Sequence, residues 1–207
     1  MSKGVDSTTM ARQLNSEKKF LVVTDVENHP ILDAYRIMNA DIVFIDQPYD
    51  ISLYGTMICL TALEAYLVTL SRTPLRFFGI LLSDGYAIKQ KKDYRPDEKL
   101  ENGYIGVPTV HDPILCPDNF WSVTYPHITL VPPSHTIHVH AKELRPVEYF
   151  CSELLYTENT YVHHVLLGDM PHHITRAVRQ GMKPVIAGKE VFGGSHYTEC
   201  SGHSVIM

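Results

Sequence analysis

The stretch that most restricts what this chain can fold into is residues 161–187, YVHHVLLGDMPHHITRAVRQGMKPVIA. Val162 to Leu167 is a short apolar run, and Gly168-Asp169 breaks it. Pro171 then stands where a first helical turn tolerates a residue with no N–H. Ile174, Ala177 and Val178 follow at helical spacing, and Gly181 closes the segment. Lys183-Pro184-Val185-Ile186-Ala187 reads as the next strand. The stretch therefore predicts a β-α-β unit, whose crossover joins parallel strands with right-handed chirality.

The N-terminal part points the same way. Phe20–Thr24, Asp41–Ile45 and Phe77–Leu82 are apolar at consecutive rather than alternating positions, as in strands covered on both faces. Helices are expected over Ile31–Met38 and over Ser52–Ser71, the second with Leu53, Met57, Leu60, Leu63, Leu67 and Leu70 on one stripe. The expected fold class is α/β: a mostly parallel central sheet with helices on both faces, a Rossmann-like, doubly wound, three-layer arrangement. Residues 19–187 would form this single domain, with 1–18 a flexible tail and 188–207 an extended one. Residues 87–120, with the charged run KQKKDYR and four prolines, read as an irregular arm. Ser122–Val131 and Thr136–Leu144 read as a pair of strands, and Val147–Tyr156 as a helix.

A chain of 207 residues, 44% hydrophobic, can bury a full core. Its net charge of -5 gives no general attraction to nucleic acid or to an anionic membrane. The four cysteines are far apart, with no CxxC pair, and read as free thiols. The polar N-terminus has no apolar leader, and the apolar stretch 56–70 is interrupted by Glu64. These features read as a cytoplasmic protein with no membrane partner.

Four predicted strands each end in an aspartate: Asp25, Asp46, Asp84 and Asp169. Parallel strands would bring these carboxylates to one sheet edge, where open α/β sheets bind ligands. There they suit a divalent metal ion, ribose hydroxyls or acid–base work; singly, each is equally a turn or cap residue. Gly168 and the helix start after it would offer main-chain amides to a phosphate, with Arg176 adding charge. No G-x-G-x-x-G follows the first strand and no G-x-x-x-x-G-K-[ST] occurs, which excludes a standard dinucleotide fingerprint or P-loop.

Ten of the twelve histidines lie from His127 onward. His138 and His140 would share one face of a strand, a spacing that suits a metal ion. The plainer reading is half-buried, hydrogen-bonded strand histidines. His127-Ile128-Thr129, within YPHITLV, resembles the H-x-T element of the two-histidine phosphoesterases. That family carries one such element on each of two strands, flanking a phosphate. His173-Ile174-Thr175 and His196-Tyr197-Thr198 are the candidate second copies.

Three functions follow as expectations. The first is a small α/β enzyme holding a phosphorylated small molecule such as a nucleotide or sugar phosphate at the carboxyl edge, with Asp25, Asp84 and Asp169 lining the site and His173 or His127 moving a proton. The second is a non-catalytic assembly protein whose arms make homo-oligomer contacts. The third is the phosphoesterase that the H-x-T resemblance implies.

Overall fold

The computed structural model describes residues 19–24, 27–44, 47–50, 53–59, 76–83, 85–90, 104–132, 144–190 and 193–207. In chain order these form β1 (Lys19–Thr24), α1 (Pro30–Ile37), β2 (Asp41–Phe44), β3 (Tyr54–Cys59), β4 (Arg76–Ser83), β5 (Gly85–Gln90), β6 (Ile105–Pro108), β7 (Phe120–Ser122), β8 (His127–Val131), β9 (Pro146–Tyr156), β10 (Thr160–Leu167) and β11 (Met170–Arg179). A 3-10 turn (Pro184–Lys189), β12 (Tyr197–His203) and β13 (Val205–Ile206) complete them. One sheet has five strands in the order β2-β1-β3-β4-β5. The other has eight, in the order β12-β9-β10-β11-β8-β6-β13, with β7 paired to β11 off that path.

The expected doubly wound α/β architecture is overturned. The larger sheet is antiparallel in its β9/β10, β10/β11, β11/β8, β11/β7 and β13/β6 pairs. Among the described residues α1 is the single α-helix, and no layer of helices within them covers both faces of a sheet. Parallel pairing is confined to β1 with β2 and β3, and β3 with β4; β5 returns antiparallel to β4.

The decisive correction falls on residues 161–187. They are a hairpin, not a β-α-β unit. Leu167 pairs with Met170, leaving Gly168-Asp169 as a two-residue loop. Gly168 takes φ 60° while Asp169 does not go positive, the pattern of a II′ hairpin turn with glycine at its first central position. The twist of that turn matches the twist of the strands, so the chain returns directly beside β10. Residues 174–178 of β11 are buried one after another, because this strand is covered on both faces. A strand buried on both faces has no alternation, and its apolar spacing then passes for a helix.

Three further elements differ from expectation. Val147–Tyr156, expected as a helix, lies in β9, where Val147, Tyr149 and Cys151 are buried while Glu148 and Phe150 are exposed. That period of two is a strand with one face inward. Lys183–Ala187, expected as a strand, falls on the 3-10 turn opened by Pro184. The start of the expected helix 52–71 is strand β3, and residues 60–75 lie outside the described residues. Within the stretch 87–120, β5 runs on to Gln90 and residues 105–108 form β6.

The chain divides into two compact units. The described parts of the first lie within Val107–Thr129 and Val147–Gly202, and those of the second within Lys18–Gly106, Leu130–Pro146 and His203–Met207. In the second, α1 buries Ile31, Leu32, Ala34 and Tyr35 against a core that includes Val22, Ile58, Val205, Ile206 and Met207. Its start is capped by His29, whose Nδ1 accepts the Ile31 N–H at 3.2 Å, with Pro30 at the first helical position. In the first, Ile128, Val147, Val162, Val165, Ile174, Ala177 and Val178 are buried. No helix among the described residues is long and apolar enough to cross a membrane.

Candidate functional site

The two H-I-T segments meet. Ile128 of β8 is the antiparallel partner of Ile174 of β11, and both side chains are fully buried. Strand side chains alternate between faces, and directly paired residues share a face. His127 and Thr129 therefore project from the face opposite the isoleucines, and so do His173 and Thr175. His127 stands opposite Thr175, and Thr129 opposite His173. The two histidines are diagonal neighbours, which sets their Cα atoms roughly 7–8 Å apart. The next strand extends the row, since His164 of β10 pairs directly with His173. His173, expected at a helix start, stands instead within a strand.

His127 donates through Nδ1 to the Tyr125 carbonyl, 2.8 Å away; a carbonyl only accepts, so Nδ1 carries the proton there. Burial lowers the His127 pKa, the Tyr125 bond opposes this, and His173 lowers it further. Burial also lowers that of His173, followed by the charges of His172 and His164. Both rings are thus neutral near pH 7, each able to take a proton and, once protonated, to give it up again. His127 and His173 are half-buried. Among the described residues no group hydrogen-bonds the His173 ring or the hydroxyls of Thr129 and Thr175. His164 is held through Nδ1 by the Tyr197 hydroxyl at 2.7 Å, which in turn accepts the Gly194 N–H at 3.1 Å. A Cβ on Gly188 would lie 3.5 Å from Cε1 of His173, so the 3-10 turn borders the row.

The other face of the same strands carries a second polar group. Arg176 lies two residues beyond Ile174, on the isoleucine face, and is 6% exposed. Its Nη1 donates to Nε2 of His163 at 2.9 Å, and its Nη2 donates to the main-chain carbonyl of Asp112. The ring of His111 stacks on that of His163, with centroids 4.6 Å apart and planes 10° from parallel.

The other predicted site residues separate. Gly168 and Asp169 form the exposed tip of the β10–β11 hairpin, so no helix N-terminus exists there to hold a phosphate. Arg176 stands seven residues further along an extended strand, roughly 23 Å from Asp169 at about 3.3 Å per residue. Asp25, Asp46, Asp84, His138 and His140 lie outside the described residues. Among the described residues no three His, Cys, Asp or Glu side chains converge as a metal site. His196-Tyr197-Thr198 begins at the β12 edge, four strands from β8 along the sheet, and meets the row only through the Tyr197 hydroxyl on His164.

The sequence does not mark His111; it marks His164 only within the His163-His164 doublet and Tyr197 only as the middle of His196-Tyr197-Thr198. Gly168-Asp169 between two runs of strand-forming residues was the available signal: a two-residue Gly-Asp break is a hairpin mark. It would have set His164 opposite His173. Nothing local ties Tyr197 to His164, a contact that spans 33 positions.

Compared with protein-family models, curated proteins and solved structures, the chain matches none of them.

Proposed function

We propose that this chain is a phosphoesterase whose site is the paired H-I-T face of β8 and β11. The observation that carries this reading is the antiparallel pairing of Ile128 with Ile174. It sets two histidines and two threonine hydroxyls in a two-fold arrangement on one face. The resemblance to the two-histidine phosphoesterases supplies the roles. The threonine hydroxyls of Thr129 and Thr175 hold non-bridging phosphoryl oxygens. One histidine takes the proton of the attacking hydroxyl or water, and the other gives a proton to the leaving oxygen. A diagonal separation of roughly 7–8 Å leaves room for a phosphoryl group between the two rings. Neutral rings suit both roles, because an approaching phosphate anion raises the pKa of whichever ring it faces and so loads the acid. No metal is required for this chemistry.

The test is hydrolysis of bis(p-nitrophenyl) phosphate and of a 2′,3′-cyclic nucleotide by the full chain. His127→Gln and His173→Gln should each lower kcat by about 10²–10⁴, the usual contribution of one acid–base group, with Tm nearly unchanged. Thr129→Val and Thr175→Val should chiefly raise KM. Activity that survives in the folded double histidine variant would overturn the reading, as would a wild-type chain that cleaves neither substrate.

A further inference from the structure

Arg176 is a buried cation with no anion against it among the described residues. Side chains of this type are almost never so fully buried unless paired. A guanidinium has five N–H donors, and two are engaged here: one by His163 Nε2 and one by the Asp112 carbonyl. Both acceptors are neutral. Among the described residues no carboxylate lies within ion-pair distance of Arg176. The exposed carboxylate of Asp112 attracts it only from further out, and the nearby Cys151 thiol, pushed up to about 11 by burial, stays uncharged at neutral pH. Beside it, Nε2 of His111 is buried and has no hydrogen-bond partner among the described residues. Burying an unpaired charge is costly, and a buried polar atom with no partner adds to that cost. Here the two occur together, one ring-stack apart.

We propose that Arg176 and His111 form a binding site for a small oxyanion, a carboxylate or phosphate group, on the face of β11 opposite the paired H-I-T segments. The guanidinium supplies the charge and two or more N–H donors, the arrangement that suits planar carboxylates and phosphates. His111, neutral and free to take either tautomer, turns an N–H toward the anion. His163 holds the guanidinium in place through Nε2, and the Asp112 carbonyl fixes its other end. A neutral ligand would leave the charge uncompensated. The site shares no side chain with the H-I-T face and does not depend on the phosphoesterase reading.

The experiment titrates the full chain with inorganic phosphate and, separately, with acetate, at constant ionic strength set with chloride, following Tm and the imidazole signals by NMR. It is run on wild type, on Arg176→Met, on Arg176→Lys and on the double variant H127Q/H173Q, which removes phosphate binding at the other face. Wild type and H127Q/H173Q should gain Tm with at least one of the two anions, and the His111 and His163 signals should shift with the same midpoint. Arg176→Lys should weaken that midpoint roughly tenfold, since a lysine loses the fork. Arg176→Met should abolish the gain. A response preferring acetate marks a carboxylate ligand, and one preferring phosphate marks a phosphorylated ligand. An equal gain in folded Arg176→Met would overturn the site. If that variant does not fold, wild-type His111 and His163 signals unmoved by either anion would do so.

Discussion

Arg176 donates to Nε2 of His163 at 2.9 Å, and that bond decides where the His163 proton sits. A guanidinium cannot accept, so Nε2 must be the bare nitrogen. The proton is left on Nδ1, which donates to the Ser152 carbonyl at 2.8 Å. Protonating His163 would break the contact with Arg176 and set a half-buried cation beside a buried one.

Stability should therefore fall in mild acid. Burial and then Arg176 hold the His163 pKa below its ordinary value, with the Ser152 bond opposing. His111 is pushed down to about 4, first by burial, then by His163 and Arg176. His127, His172 and His173 are lowered too, in each case first by burial. Their stabilisation is complete above the free imidazole value of about 6.5. Below it the unfolded chain binds protons that the folded chain refuses, and the loss continues toward the His111 value. Denaturant midpoints measured at successive pH values from neutral down to about 4.5 should decrease steadily. A midpoint that holds level or rises would contradict this assignment of neutral rings.

Glu190 should anchor the turn between β9 and β10. Its carboxylate takes the Thr160 hydroxyl, lies 3.0 Å from Thr157 Oγ1 through each oxygen, and reaches Asn159 Nδ2 at 3.5 Å. Thr160 is fully buried, so its hydroxyl has no water to turn to. Glu190→Ala should cost about 2–3 kcal/mol, the scale of losing hydrogen bonds to a charged acceptor, and Glu190→Gln about half that. Urea unfolding would show it. An alanine variant within about 0.5 kcal/mol of wild type, the range of ordinary surface changes, would mean the cluster is ornamental.

Gly194 should not accept a side chain. A Cβ there would stand 2.4 Å from Cβ of Ser152, and 3.1 Å from the Tyr197 hydroxyl. The first contact involves no flexible side-chain end, so the main chain would have to move. Gly194→Ala should cost about 1–3 kcal/mol, as overpacking does. It should also detach Tyr197 from His164, visible as a change in the His164 imidazole nitrogen shifts. Tyr197→Phe removes the hydroxyl alone and should cost only about 1 kcal/mol while altering the same signals. Equal stability for the two variants would show that crowding at Gly194 is relieved elsewhere.

The candidate site was partly legible before any coordinates. His127-Ile128-Thr129 and His173-Ile174-Thr175 stand out as repeated triplets in the chain. Their meeting does not, because residues 46 positions apart pair only if the chain between them folds so as to bring β8 beside β11. Pro171 and the spacing of Ile174, Ala177 and Val178 suited a first helical turn and an apolar helix face equally well. The same residues suit a strand packed on both sides. On the helical pattern Arg176 is a helix side chain near a phosphate; its burial against His163 follows only from the sheet.

Local chemistry was written into the residues themselves. Glycine at 168 permits a positive φ and stops the run before it, and Pro30 after His29 opens a helix. The apolar run ending at Leu167 is a strand under either reading. What only the tertiary structure decided is which strand lies beside which, and so which side chains share a face. Pairing is a long-range choice among nearly equal local options, settled by how much apolar surface the whole assembly can cover. Neighbouring residues set the bends in the chain, but the company each histidine keeps is set by residues far away along it.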